Sequence, residues 1–69
     1  MDLIKIGKYI AAKRKALGLT QKQLAEKLNM SDKSVSKWER GICLPDVTVY
    51  LELCKILGIS INEFLAGED

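Results

Sequence analysis

The order of apolar and polar residues along the chain predicts helices and no strands. Apolar residues recur every three or four positions, and no segment alternates apolar and polar residues as a half-buried strand would. Single glycines and helix-capping residues separate the periodic segments. We therefore expect an all-α fold, a compact five-helix bundle that forms a single domain over residues 1–69.

The first predicted helix spans about residues 3–17, and Gly18 suits the position just after its end. Apolar residues form one stripe along this helix, and Arg14 occupies a position where another apolar residue would continue it. The apolar members of the stripe are Leu3, Ile6, Ile10 and Leu17. We expect this stripe to face the core.

The second predicted helix begins after Thr20 and runs over about residues 21–28. Thr20 and Gln23 have the spacing of a capping box, in which two side chains satisfy free backbone N–H groups. Asn29 then ends the helix, because asparagine tolerates the positive φ of a tight turn better than most residues.

The third predicted helix starts at Asp32, with Ser31 as its N-cap, and ends at Glu39 or Arg40 before Gly41. Two helices of about eight residues joined by a turn this short form a helix-turn-helix. The motif covers residues 21–40. Its predicted core consists of Leu24, Ala25, Leu28, Met30, Val35 and Trp38.

Two further helices complete the bundle. Asp46 is the predicted N-cap of a helix over about 47–57, which Gly58 ends, and Ser60 caps a last helix over 61–65. Their residues at core spacing are Tyr50, Leu53, Cys54, Leu57, Ile61, Phe64 and Leu65. Short links throughout are typical of a small helical domain.

The outward face of the third helix is basic. At 100° per residue, Val35 and Trp38 define its buried side. The residues that project to the opposite side are Lys33, Ser36, Lys37 and Arg40, with Asp32 and Ser34 on the flanks. A major groove admits such a helix, and lysine and serine donate to guanine acceptors while aspartate accepts from cytosine. The alternative is a solvated basic helix with no partner.

Three residues outside this face have further predicted roles. Gln21 is the first residue of the second helix, where a free N–H and the side-chain amide suit a DNA phosphate. The alternative is that Gln21 has no contact with DNA and is simply a good helix-forming residue next to the capping residue. Arg14 and Glu39 lie at inward positions of the first and third helices, so we expect a partly buried ion pair. The alternative is an Arg14 head that reaches water.

Charge and composition narrow the class of protein. Residues 1–40 carry a net charge of +6 and residues 41–69 a net charge of −4, although the whole chain is only +2. This polarity favours a polyanionic partner for the first half. The chain has no histidine and only two cysteines, Cys43 and Cys54, which we expect to be reduced thiols. We expect no metal, no cofactor, no small-molecule ligand and no enzymatic activity.

The N-terminal segment lacks the layout of a signal peptide, and no apolar run is long enough to cross a bilayer. We therefore expect a cytoplasmic, nucleoid-associated chain without membrane contact.

The motif residues resemble a known family. The chain is similar to the Cro/phage-repressor type of helix-turn-helix domain, also called the XRE family. The similar segments are Gly18–Gln21, Leu24–Leu28, Val35–Gly41 and Pro45, and those around Leu57 and Phe64. The similarity covers about residues 5–66. It implies a lambda-repressor-like fold whose third helix, about 32–40, enters the major groove.

The resemblance also implies roles for individual residues. It gives base contacts to Asp32, Lys33 and Lys37, with Ser36 beside them, and a phosphate contact to Gln21. We add Lys22, Ser34 and Arg40 as expected phosphate contacts. It implies a structural salt bridge between Arg14 and Glu39. Members of the family commonly bind palindromic operators as homodimers and regulate transcription, often as repressors.

The sequence departs from the family pattern in two places. Asn29 stands where glycine is commoner, and the loop over residues 42–44 is apolar where many relatives place polar or basic residues. The chain stops after the last predicted helix. Two interpretations follow, an N-terminal fragment of a longer regulator or a minimal regulator that dimerises through helix five.

A second function stays open beside DNA binding, a protein-interaction module of antitoxin type on the same fold. It requires an exposed apolar patch. The residues that would form this patch, if they are exposed, are Ile42, Leu44, Leu51, Ile56, Ile61 and Phe64.

Overall fold

The computed structural model describes all residues from Met1 to Asp69 and contains five α-helices and no strand. They are α1 (Leu3–Ala16), α2 (Gln21–Lys27), α3 (Asp32–Glu39), α4 (Val47–Leu57) and α5 (Ile61–Ala66). The predicted all-α fold is therefore confirmed, with each end within one residue of its predicted position. None of the five helices combines the length and apolarity needed to cross a bilayer.

The helix starts follow the predicted caps. Thr20 and Gln23 form a reciprocal capping box at α2, and Ser60 forms the equivalent box at α5. At α4 the Asp46 carboxylate accepts a hydrogen bond from the Thr48 backbone N–H, which lowers the pKa of Asp46. Each cap satisfies an N–H group that lacks a partner within its helix.

The predicted cap at Ser31 is wrong in one respect. Ser31 has the extended backbone of an N-cap, but its side chain makes no capping hydrogen bond. Its hydroxyl lies 3.5 Å from the Ser34 hydroxyl instead. The turn before it is as predicted, because Asn29 has a φ of +56°.

The core lies where all five helices meet. Its buried residues are Ile6, Ile10, Leu24, Ala25, Val35, Trp38, Leu53, Cys54, Leu57 and Phe64. The predicted motif core is confirmed at four positions, while Leu28 and Met30 are half-buried against it. Tyr50 packs edge-on against Phe64 with 5.0 Å between the ring centroids.

One core prediction is wrong. Leu17 is 52% exposed, because α1 ends at Ala16 and Leu17 turns toward solvent at the C-cap. Ile61 and Leu65 pack half-buried against the core as predicted, and Phe64 is the residue of α5 that is fully buried. A chain of this size has too few elements to cover every apolar side chain of its peripheral helices.

A glycine sets the approach of α1 to α3. A Cβ on Gly7 would lie 2.7 Å from the Glu39 carbonyl oxygen and closer still to that of Trp38. Both atoms belong to the backbone at the end of α3, so no side-chain movement relieves the clash. Gly7 therefore allows α1 to contact the end of α3 directly.

The C-terminal residues pack on α1. Lys13 Nζ lies 2.7 Å from Asp69 Oδ1, the hydroxyl of buried Tyr9 donates to the same oxygen over 2.7 Å, and Lys5 Nζ lies 2.9 Å from Glu68 Oε1. Burial, followed by the hydrogen bond to Asp69, raises the pKa of Tyr9. Hydrogen bonds from Lys13 and then Tyr9 lower the pKa of Asp69. These contacts close the chain around α1.

Candidate nucleic-acid interface

A buried ion pair fixes the end of α3 against α1. Arg14 Nε donates to Glu39 Oε2 over 2.6 Å and its Nη2 donates to Glu39 Oε1 over 2.9 Å. The two side chains are only 10% and 7% exposed. Arg14 Nη1 donates a third hydrogen bond, to the Leu19 carbonyl over 2.8 Å, and this bond fixes the segment before α2 against α1. The predicted pair is present, and its hydrogen bonds to Glu39 raise the pKa of Arg14.

Gln21 joins the same network. Its Nε2 donates to Glu39 Oε1 over 3.0 Å, which orients the amide at the first residue of α2. The second N–H of that amide and the Gln21 backbone N–H have no protein acceptor. Both remain available to an anion at this helix start. The sequence pattern did not predict the contact between Gln21 and Glu39.

The outward face of α3 has the predicted composition. The exposed residues are Asp32, Lys33, Lys37 and Arg40, while Ser34 and Ser36 are half-buried. All of these residues but Ser34, together with Gln21, line a polar surface depression of about 300 Å³. No hydrophobic side chain lines it. Every residue predicted to contact bases therefore borders one concave, mainly basic surface beside the start of α2.

Arg40 lies back along α3. Its Nε donates to the Ser36 carbonyl oxygen over 3.2 Å and to Ser36 Oγ over 3.0 Å. The helical spacing of four residues brings the two side chains together. Arg40 therefore has a defined position on the exposed face, which the sequence pattern alone did not predict.

The remaining residues predicted to contact phosphate differ in their surroundings. Lys22 is exposed at the start of α2, next to Gln21. Ser34 lies on the flank of α3, where its hydroxyl faces that of Ser31. Lys22 thus extends the basic surface along the start of α2, whereas Ser34 borders it from the side.

The apolar patch required by the alternative function is incomplete. Phe64 has no exposed surface, which leaves it in the predicted core and out of the patch, and Leu44, Ile56 and Ile61 are half-buried. Ile42 and Leu51 are 56% and 76% exposed. The core needs Phe64 because α5 offers no other residue that reaches the centre of the domain.

The cysteines form no disulfide. Cys54 is buried, which raises the pKa of its thiol, and Cys43 is exposed in the loop after α3. No three His, Cys, Asp or Glu side chains come together as a metal site would require.

Comparison with known proteins identifies the class. The family model described as helix-turn-helix matches residues 10–64. The chain belongs to this family, and the resemblance to the XRE type is confirmed. The match includes the whole motif and the ion pair that supports it.

Curated relatives share most of this chain. ImmR, an HTH-type transcriptional regulator of Bacillus subtilis, is 36% identical over 64 residues, which are 93% of this chain and 50% of ImmR. DicA, an HTH-type transcriptional regulator of Escherichia coli, is 41% identical over 93% of this chain and 47% of its own length. This chain thus spans about half the length of these relatives.

Solved structures share the fold. The P22 c2 repressor protein, in complex with a synthetic operator, superposes with a TM-score of 0.86 at 33% identity, covering 91% of this chain and 96% of that chain. The restriction-modification controller protein C.AhdI from Aeromonas hydrophila gives a TM-score of 0.81 at 32% identity, with the same coverage.

Proposed function

We propose that this chain binds double-stranded DNA in a sequence-specific manner and regulates transcription as a repressor, acting in the cytoplasm on the nucleoid. One observation carries the proposal. Three cations, Lys33, Lys37 and Arg40, are exposed on one face of α3, beside the free backbone N–H groups at the start of α2. Sequence-specific binding to duplex DNA needs both base contacts and phosphate contacts. The basic face of α3 suits the first, and the start of α2 suits the second.

Each element has one task in this proposal. α3 lies in the major groove, where Lys33 and Lys37 donate to guanine acceptors, Ser36 contacts a neighbouring base and Asp32 accepts from cytosine. Gln21 and Lys22 bind phosphate at the start of α2, and Ser34 and Arg40 bind it beside α3. The phosphate contacts set the position of α3 in the groove, and the base contacts select the sequence.

The buried network keeps these two tasks in register. Glu39 ends α3 and bonds to Gln21 of α2 and to Arg14 of α1. A rotation of α3 relative to α2 would break these bonds in a site from which water is largely excluded. The network therefore holds the base-reading face at a fixed distance from the phosphate-binding helix start.

A palindromic operator bound by a homodimer fits the size of the domain. The domain measures 26 × 23 × 22 Å. Half-sites one helical turn apart are separated by about 34 Å, so two domains bind neighbouring half-sites on one side of the duplex without overlap. The P22 c2 repressor, which has the same fold and forms a complex with an operator, supports operator binding by this fold.

Selection from a randomised duplex library tests the proposal. The protein is incubated with the library at several salt concentrations, and the retained DNA is sequenced. We expect an enriched palindrome with half-sites about one turn apart. We also expect the affinity to fall steeply with salt, because lysines that bind phosphates release counterions from the DNA.

Retention at low salt without enrichment would contradict sequence-specific binding. The partner-binding alternative would then lead, with exposed Ile42 and Leu51 as its candidate contacts. Substituting both by serine would then be expected to abolish association with a protein partner while leaving weak DNA retention unchanged. That pair of results separates the two functions.

A further inference from the structure

The hydroxyl of Ser36 has a restricted hydrogen-bonding capacity. A serine hydroxyl has one hydrogen to donate and two lone pairs with which to accept. In this structure Arg40 Nε donates to Ser36 Oγ over 3.0 Å, which occupies one lone pair. The hydroxyl hydrogen itself has no acceptor in the protein, so it is available to a ligand.

The positive charge of Arg40 affects whether the Ser36 hydroxyl donates or accepts a further hydrogen bond. A hydroxyl that accepts a hydrogen bond from a cation becomes a stronger donor and a weaker acceptor. A second donor approaching Ser36 Oγ would also approach the guanidinium, which repels its positive end. Ser36 is therefore prepared to donate.

We propose that Arg40 makes Ser36 a hydrogen-bond donor toward DNA and thereby a determinant of base preference. Guanine, adenine and thymine each present an acceptor in the major groove, whereas cytosine presents only an amino donor. Because a C·G pair still presents guanine on one strand, the donor role decides which strand's base faces Ser36: that base is guanine, adenine or thymine, and not cytosine. This inference rests on the proposed function, because it requires α3 to lie in the major groove.

Arg40 acts here as a positioning residue and a phosphate ligand together. Its Nε is occupied by Ser36, but its terminal amino groups have no acceptor in the protein. They remain free for a phosphate oxygen, for which the guanidinium is well suited. A phosphate bound there would hold Nε on Ser36. The contact with the DNA backbone would then also orient the base contact.

The experiment is library selection on the whole chain with three variants. Ser36→Ala removes the donor. Arg40→Lys keeps the charge, but it replaces the planar guanidinium, whose separate nitrogens face Ser36 and a phosphate, by one ammonium nitrogen without that fixed geometry. The third variant is the double substitution, and Lys55→Ala on α4 is the control for loss of a distant surface charge.

We expect Ser36→Ala to weaken the preference at one base pair of each half-site by about 3- to 10-fold, the range of a single hydrogen bond. Arg40→Lys should relax the same base pair, and in the Ser36→Ala background it should relax it no further. Lys55→Ala should leave every base preference unchanged.

Several results would overturn the inference. If Arg40→Lys weakened all sequences equally and left the Ser36 base pair untouched, Arg40 would be a phosphate ligand alone. If Ser36→Ala relaxed no position, the donor role would equally be excluded. In each of these results the wild type still selects an operator. Failure of the wild type to enrich any sequence would instead remove the proposed function itself.

Discussion

Gln21 donates a hydrogen bond from Nε2 to Oε1 of Glu39 over 3.0 Å, linking the first residue of α2 to the last residue of α3. The same oxygen accepts from Arg14 Nη2. Three helices therefore meet at one carboxylate, which lies directly behind the proposed DNA-binding surface. This arrangement connects the stability of the domain to the geometry of its proposed site.

Glu39→Gln should destabilise the domain severely. The substitution keeps the shape of the side chain but leaves the Arg14 guanidinium, 10% exposed, without a counter-charge. Removing one partner of a buried pair costs about 3–5 kcal/mol. Urea denaturation followed by circular dichroism measures the change.

Glu68→Gln is the matched control, because Glu68 pairs with Lys5 at the surface. An exposed pair contributes about 1 kcal/mol or less, so this variant should unfold close to the wild type. Equal stability of the Glu39 and Glu68 variants would show that the buried pair makes no special contribution.

Gly7→Ala should destabilise the domain although alanine favours helices. The new Cβ would meet backbone oxygens of α3, including that of Glu39 at 2.7 Å. Overpacking costs about 1–3 kcal/mol and outweighs the gain of about 1 kcal/mol in helix propensity. Thermal unfolding checks the sign of the change.

Gly18→Ala provides the comparison for that experiment. Gly18 has a φ of +72°, and a Cβ there would meet no atom within 4 Å. Only the conformational cost of about 1–2 kcal/mol applies. In the Gly7 variant alone, the exposed face of α3 should also shift, since α1 and α3 can no longer approach. A Gly7 variant more stable than the wild type would refute the close packing of these helices.

Lys37→Ala should weaken binding to the selected operator by about 1–3 kcal/mol and relax the preference at one base pair. Lys37 is exposed in the polar depression on α3. Gln21→Ala should instead weaken all sequences alike, because its proposed contact is to phosphate. Fluorescence anisotropy with the operator and with single-base variants separates the two effects.

Lys55→Ala removes the same charge from α4, outside the proposed surface, and should leave the base preference intact. If Lys37→Ala and Lys55→Ala behaved identically, α3 would not be the reading helix.

Asp69→Asn should reduce thermal stability in a pH-dependent manner. Hydrogen bonds from Lys13 and Tyr9 lower the pKa of Asp69, so the folded state takes up this proton less readily than the unfolded state. The contribution is therefore complete above the ordinary aspartate pKa of about 4, and it is lost as the pH falls through the lowered value. Melting temperatures of both proteins between about pH 7 and pH 2 should converge at the acid end.

Glu52→Gln is the control, because Glu52 is exposed and has no hydrogen-bond or ion-pair partner. It should follow the wild type at every pH. A difference between wild type and Asp69→Asn that stays constant across the range would exclude the titration of Asp69 as its cause.

Local sequence patterns predict the helices, the caps of α2, α4 and α5, and the exposed face of α3. Capping boxes such as Thr20 with Gln23 are local, since they join residues three positions apart. Helical periodicity likewise fixes which side of α3 holds Val35 and which holds Lys37. The Arg14–Glu39 pair was also predictable, because both residues interrupt or border an apolar stripe.

Contacts between residues distant in sequence, and contacts that depend on rotamer choice, follow from the packing of the helices and not from local patterns. Nothing in the sequence around Gly7 indicates its close contact with α3, and the hydrogen bond from Tyr9 to Asp69 joins residues 60 positions apart. The position of Arg40 on Ser36 and of Gln21 on Glu39 depends on which of several partners each side chain reaches. Periodicity states which face a residue occupies, but the pairing of faces is set by how the helices pack, and that requires the whole fold.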